Sequence, residues 1–318
     1  MKIVFFGTPE FAVPSLKALA DKFDVAAVVT MPDKVGGRGN QIIESDVKKA
    51  AMSLGIPVLQ PEKLKDPAFV DTLRSIGADL FVVIAFRMLP EIVWGMPPCG
   101  TFNLHASLLP KYRGAAPINR AIMNGETESG VTTFFLKHEI DTGDIIDQVK
   151  VAIAPDEDAG SLYERLMLIG ADLCVKTVQD LIKGTVVTIP QSSVAGDTEP
   201  CPAPKIFKED CRLDWSWPVQ KIHNHVRGLA PHPGAWSGFS FGDTAGTNIK
   251  IYATAIPDKA PALPRGIVEM RAGHVYAGCG DGSIELLSVQ MPGKKRMDAD
   301  QWFRGLRAGE NGRRPILL

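Results

Sequence analysis

ADLFVVIAF, residues 78–86, decides the fold. It is strand-like throughout, and after Asp79 it is continuously apolar instead of alternating. A strand with one wet face alternates, whereas a strand covered on both faces does not, and such strands belong to parallel sheets sandwiched between helices. Working outward, KIVFFG (2–7), DVAAVVT (24–30) and IPVLQP (56–61) are further apolar strand candidates. Helical patterns fall between them. EFAVPSLKALA (10–20) puts Phe11, Leu16 and Leu19 on one face, a helix opened by Ser45 as N-cap follows, and PAFVDTLRSIG (67–77) ends on a glycine. This alternation predicts an α/β domain built on a Rossmann-like, mostly parallel sheet.

The pattern continues downstream. TFNLHAS, from 101, is another strand end, and VTTFFLKHEI (131–140) and DIIDQVKVAI (144–153) read as paired strands joined around Asp-Thr-Gly. A long helix fits 159–184 and closes on Gly184. The stretch PQSSVAGDTEPCPAPK (190–205) is dense in Pro, Ser and Gly and reads as a linker. Beyond it the texture changes to short β-rich runs parted by Gly and Pro, which predicts a small OB-like β-barrel. The expected organisation is therefore a catalytic domain over 1–189, a linker over 190–205 and a barrel over 206–318.

The totals support two domains. The chain has 318 residues, 45% of them hydrophobic, enough for two cores. Its net charge of −1 excludes a molecule basic all over. Residues 205–318 nevertheless hold 16 Lys and Arg against 11 Asp and Glu, a net of +5, leaving −6 elsewhere. The C-terminal part is thus the better candidate for meeting phosphate. Five scattered cysteines with no Cys-x-x-Cys pair argue against a disulfide framework or a zinc ribbon. The opening MKIVFFGTPEF is no signal peptide, and no run of about 18 apolar residues occurs. A soluble protein of a reducing, cytoplasmic compartment is expected.

The first strand leads into Gly-Thr-Pro-Glu-Phe-Ala, not G-x-G-x-x-G, so a dinucleotide site there is a poor reading. The polar residues that stand out are in FNLHASLLPKYRGAAP (102–117). Asn103 and His105 are two apart on a strand and share a face. At the carboxyl end of a parallel strand that face looks into the crevice where open α/β sheets bind ligands. An amide donor and a group that titrates near neutrality can together hold an oxyanion. The same spacing also suits an Asn capping the next turn and a histidine satisfied in the interior. Asp141, at the tip of the DTGD turn, can orient His105 or take a proton, although Asp-x-Gly is ordinary hairpin chemistry too.

At this point the sequence becomes specific. NLHASLLPKYRGAAPINRAIMNGETESGVTTFFLKHEIDTGDII (103–146) closely resembles the signature of the folate-dependent formyltransferases. The opening MKIVFFGTPEFAVPSLKAL, the Gly-Arg-Gly at 37–39, LDWSWP (213–218), VRGLAPHPGAW (226–236) and GKKRM (293–297) resemble members of that family that act on charged tRNA. The resemblance covers nearly the whole chain. It implies transfer of the formyl group of 10-formyltetrahydrofolate to the α-amine of initiator methionyl-tRNA. Asn103 and protonated His105 would stabilise charge on the formyl oxygen, and Asp141 would hold His105 and help remove the amine proton. Neither a metal nor a covalent intermediate is implied.

The resemblance also places the folate near IAFRMLPE (84–91), with Phe86, Arg87, Leu89, Pro90, Ser107, Leu108 and Pro110 as the expected contacts. Arg38 would meet the tRNA acceptor stem, and Lys294, Lys295 and Arg296 its phosphates; a solvated loop and a solvated turn are the competing views of these four. A monomer is expected. His223 and His225, two apart on a helix, do not have the spacing of a metal pair. Trp215, Trp217, Trp236 and Trp302 read as core of the second domain. His138 and Glu139, where many relatives carry other residues, sit close enough in sequence to alter the surroundings of Asp141. Three rival readings keep Asn103, His105 and Asp141 or their scaffold: a formyltransferase acting on a sugar-nucleotide amine, a formyltetrahydrofolate hydrolase, and a non-catalytic RNA- or folate-binding protein.

Overall fold

The computed structural model describes residues 1–36, 41–195, 201–240, 246–306 and 315–318. The chain divides into two compact units: Met1–Pro117 with Glu128–Ala152 and Tyr163–Pro204, and Ile118–Thr127 with Ile153–Leu162 and Lys205–Leu318.

The elements of the N-terminal half follow the alternation. In chain order they are β1 (Lys2–Gly7), α1 (Val13–Lys22), β2 (Asp24–Val29), β3 (Lys34–Gly36), β4 (Gln41–Ile43), α2 (Asp46–Ser53), β5 (Val58–Leu59), α3 (Pro67–Ile76), β6 (Leu80–Ile84) and α4 (Glu91–Trp94). Then come β7 (Thr101–His105), β8 (Arg113–Gly114), α5 (Pro117–Met123), β9 (Glu128–Phe135), β10 (Ile145–Ala152), α6 (Ala159–Lys183), α7 (Gln191–Ala195) and β11 (Pro202–Ala203). Among the described residues, seven strands form one sheet in the order β10-β9-β7-β6-β1-β2-β5. The five from β7 to β5 are parallel, and β9 and β10 add an antiparallel edge. β6 is buried along its whole length, as its unbroken apolar run requires.

Local signals set the helix ends. The Ser45 hydroxyl accepts the Lys48 amide at 3.1 Å and opens α2. Asp66 caps α3, with Pro67 in its first turn and Gly77 at φ +61° behind it. Gly170 lies inside α6, where a Cβ would come 2.6 Å from a Leu104 methyl. Its absence lets α6 press directly on the strand that carries Asn103 and His105. β1 and β2 run on to β5 on one side of the sheet while β6 and β7 fill the other, so the connectivity reverses between β1 and β6. The carboxyl ends there, Gly7 and Ile84, mark the topological switch point where such sheets bind ligands.

The stretch 190–205, read as a linker, contains α7 and the two-residue strand β11, which pairs in parallel with β8.

The second unit holds α8 (Val219–Leu229), β12 (Ala235–Ser240), β13 (Thr247–Ala255), β14 (Val268–Arg271), β15 (His274–Gly278), β16 (Ser283–Gln290), β17 (Met297–Asp298), α9 (Ala299–Gly305) and β18 (Ile316–Leu317). Its main sheet runs β14-β15-β16-β13-β12-β18, antiparallel throughout. Ile267, just ahead of β14, bridges Ile316 of β18, so the sheet closes on itself as a small barrel. Trp215 and Trp302 are buried in its core, and Trp217 and Trp236 pack against it half-buried. The Trp215 indole N–H donates to Ser237 Oγ at 2.9 Å, satisfying the polar end of that ring.

Candidate active site

β7 delivers both predicted side chains to the carboxyl end of the sheet. His105 is only 7% exposed, and its Nε2 lies 2.8 Å from the Tyr112 carbonyl. A carbonyl oxygen can only accept, so Nε2 carries the hydrogen and Nδ1 is the nitrogen left for chemistry. Nδ1 faces Asp141, whose Oδ2 is 3.9 Å away, too far for a direct hydrogen bond. The same Oδ2 accepts the Gly114 amide at 3.0 Å. Asn103 presents a buried Oδ1 with no hydrogen-bond partner among the described residues. Buried polar atoms are nearly always paired in a folded chain, so an acceptor oxygen kept unpaired here suits a hydrogen-bond donor brought in by a substrate.

The loop after β7 is over-determined. Ser107 Oγ donates to the Lys111 carbonyl at 2.7 Å. Thr132, on β9, donates through Oγ1 to the Ser107 carbonyl at 2.6 Å and accepts the Leu109 amide at 3.2 Å. Gln148, on β10, donates to that same Oγ1 and to the Leu109 carbonyl, each at 2.9 Å. Tyr112 takes φ +60°, and its amide donates to the Cys201 carbonyl at 2.6 Å. These bonds fix the carbonyl that sets the orientation of the His105 ring.

Asp141 stands in the left-handed region at φ +55°, a conformation Asp tolerates better than most residues. Two residues on, a Cβ at Gly143 would lie 1.5 Å from the Phe135 carbonyl oxygen, so only glycine lets the loop return this closely over β9. Gln191 lies beneath, 4% exposed. Its Nε2 donates to the Asp141 and Gly143 carbonyls, each at 2.8 Å. Its Oε1 accepts from Arg113 through Nε at 3.0 Å and a terminal nitrogen at 2.6 Å. Sequence reasoning missed Gln191: nothing in a Pro- and Ser-rich stretch signals a buried glutamine. Arg113 was visible inside Tyr-Arg-Gly but without an assignable task.

The other expected residues fall in distinct places. Phe86 packs its ring 5.8 Å from that of Phe6, and Leu89 is buried. The Arg87 guanidinium donates to the carbonyls of Glu62 at 2.8 Å and Pro61 at 2.5 Å, while its buried Nε has no partner among the described residues. Burial lowers the Arg87 pKa below the usual guanidinium value. Arg87 and Pro90 line a cavity of about 650 Å³ together with Lys63, Lys65, Met88 and Ile92. Ser107 and Pro110 are buried and Leu108 half-buried in the loop after β7. Lys294, Lys295 and Arg296 are exposed in the second unit. Arg296 donates to Ser288 Oγ at 2.7 Å and lies over the Tyr252 ring at 4.7 Å. Arg38 lies outside the described residues. His138 falls beyond the end of β9, so strand alternation does not govern it; its Nε2 is 3.4 Å from Glu91 Oε1 and its ring stands edge-on to Trp94.

Comparisons with known proteins bear on the family of the chain. The Formyl transferase family matches residues 1–178, and the Formyl transferase, C-terminal domain family matches 205–307. A methionyl-tRNA formyltransferase of Bacteroides thetaiotaomicron is 49% identical over 98% of this chain and 97% of its own. One from Parabacteroides distasonis is 49% identical over 96% of each. Among solved structures, an N-formyltransferase from Helicobacter canadensis in complex with folinic acid and dTDP-3-aminofucose superposes with a TM-score of 0.64. It is 22% identical and covers 90% of this chain and 98% of that one, a likeness of fold. With family matches over both parts and near-half identity along almost its full length, the chain belongs to the formyl transferase family.

Proposed function

We propose that the chain transfers the formyl group of 10-formyltetrahydrofolate to the α-amine of initiator methionyl-tRNA. The observation that carries this reading is that similarity to methionyl-tRNA formyltransferases runs through both units, not through the catalytic part alone. In this reading residues 1–189 form the catalytic domain and 206–318 the tRNA-binding barrel, and the protein acts as a monomer. Asn103, His105 and Asp141 carry the chemistry. The amine attacks the formyl carbon, a C–N bond forms, and the carbonyl π pair moves to oxygen. The Asn103 carboxamide and His105, protonated at Nδ1, donate to that oxygen, each worth about 3 kcal/mol of barrier. Collapse of the intermediate breaks the bond to N10 of the folate. The attacking amine gives up one proton and N10 gains one, and Asp141 serves as the nearby acceptor. An α-amine titrates near 8, so part of it is free at neutral pH and no strong base is required.

The folate lies along Phe86, Arg87, Leu89 and Pro90 and against Ser107, Leu108 and Pro110. Arg38 meets the acceptor stem, and Lys294, Lys295 and Arg296 meet phosphates. The test is an acceptor panel with 10-formyltetrahydrofolate: charged initiator tRNA, uncharged tRNA, a free amino sugar nucleotide, and no acceptor. Formylation of charged tRNA alone is expected. Transfer to the sugar amine, or folate hydrolysis without any acceptor, would replace the reading with one of those activities.

A further inference from the structure

Asp141 has two ends to hold, its main chain in a left-handed conformation and its carboxylate beside His105. One side chain outside the signature holds the first directly and reaches the second through Arg113, the neighbour of Gly114. Gln191 Nε2 spans the Asp141 and Gly143 carbonyls at 2.8 Å each, using both of its hydrogens. Its Oε1 takes two bonds from Arg113, at 3.0 and 2.6 Å, using both of its lone pairs. The residue after Arg113 is Gly114, whose amide donates to Asp141 Oδ2 at 3.0 Å. Two residues before Gln191, Ile189 exchanges two backbone bonds of 2.8 Å with Ile145, where the loop re-enters the sheet. Every hydrogen-bonding position of a 4% exposed glutamine is therefore spent on the loop of Asp141 or on the strand that holds its carboxylate.

We infer that Gln191, backed by Arg113, is a positioning residue that sets the distance between Asp141 and His105. The inference rests on the reading of Asp141 given under Proposed function. Glutamine is specifically required. Glutamate keeps the length and the Arg113 pair but turns a carboxylate toward two carbonyl oxygens and donates to neither. Asparagine lacks a methylene and cannot span from α7 to the loop.

The test uses the full-length protein with Gln191→Glu, and with Gln191→Met read in the same way, so that the answer does not hang on one variant folding. Two readouts are taken: kcat and KM for folate and for charged tRNA, and backbone hydrogen exchange across 136–144 and at Gly114. A displacement of the catalytic group predicts kcat lower by at least about 10-fold with both KM values within about threefold of wild type. Exchange should quicken in 136–144 and at Gly114 and stay unchanged in β1 and β6. Unchanged kcat, a loss confined to KM, or unaltered exchange in the loop would overturn the inference. The two readings fail separately. If the wild-type protein does not formylate charged tRNA, the proposed function falls, whereas the exchange readout still decides whether Gln191 holds the loop.

Discussion

At the scale of single residues, the site depends on which atoms are already committed. His105 has given Nε2 to a backbone carbonyl, so only Nδ1 can act, and Asn103, whose buried Oδ1 has no partner among the described residues, is proposed to donate through its Nδ2. Removing one oxyanion donor costs about 100-fold or more in kcat, so Asn103→Ala is expected to lose that much with the fold intact. Asp141→Asn isolates charge from conformation, because Asn accepts the left-handed region as readily as Asp. It too is expected to lose about 100-fold in kcat while circular dichroism and urea midpoint stay near wild type. A loss seen only in KM would remove either residue from the chemistry. The placement of Asn103 and His105 at a strand end and of Asp141 in a turn was legible in the sequence because strand periodicity and Gly-containing turns leave local signals, whereas their proposed roles came from the family resemblance. Gln191 was not, since its role comes from four bonds to residues about 50 and 80 positions away in the chain.

At the scale of elements, β9 does more than extend the sheet. Its Thr132 is fully buried and joins the Ser107 carbonyl, the Leu109 amide and Gln148 at one oxygen. Thr132→Val keeps the shape and leaves those groups unpaired. A cost of about 2–3 kcal/mol is expected from the urea midpoint, together with reduced kcat, because the loop so held carries the carbonyl that orients His105. A stable, fully active Val variant would show that the loop is fixed by its own backbone instead. The parallel strands were legible because each is a continuous apolar run; α7 and β11 were not, because Pro-, Ser- and Gly-rich sequence is shared by free linkers and by straps pinned through backbone bonds such as Tyr112 to Cys201. The barrel was foreseen from Gly-spaced β runs, but its closure through Ile267 and Ile316 depends on chain ends meeting in space.

At the scale of the whole molecule, stability depends on pH through the second unit. Burial pushes the His225 pKa down to about 4, with its Nε2 unpartnered among the described residues and its ring edge-on to Trp217 at 5.0 Å. An unfolded histidine titrates near 6.5, so between these values the unfolded chain binds a proton that the folded chain refuses. Stability is therefore full above about pH 6.5 and falls by about 3 kcal/mol as pH drops to about 4, then levels. His223, also pushed down by burial, steepens the fall. Urea midpoints between pH 7 and 4 are expected to fall less steeply in His225→Gln; equal slopes in variant and wild type would assign the acid sensitivity elsewhere. The central claim is that this chain moves a formyl group onto charged initiator tRNA through His105. Its most direct test is single-turnover transfer from labelled 10-formyltetrahydrofolate to initiator methionyl-tRNA, by the wild-type protein and by folded His105→Ala. The prediction is label on the methionyl amine in the wild type and a rate at least about 100-fold lower in the variant; label released as formate, or a variant as fast as wild type, would contradict it.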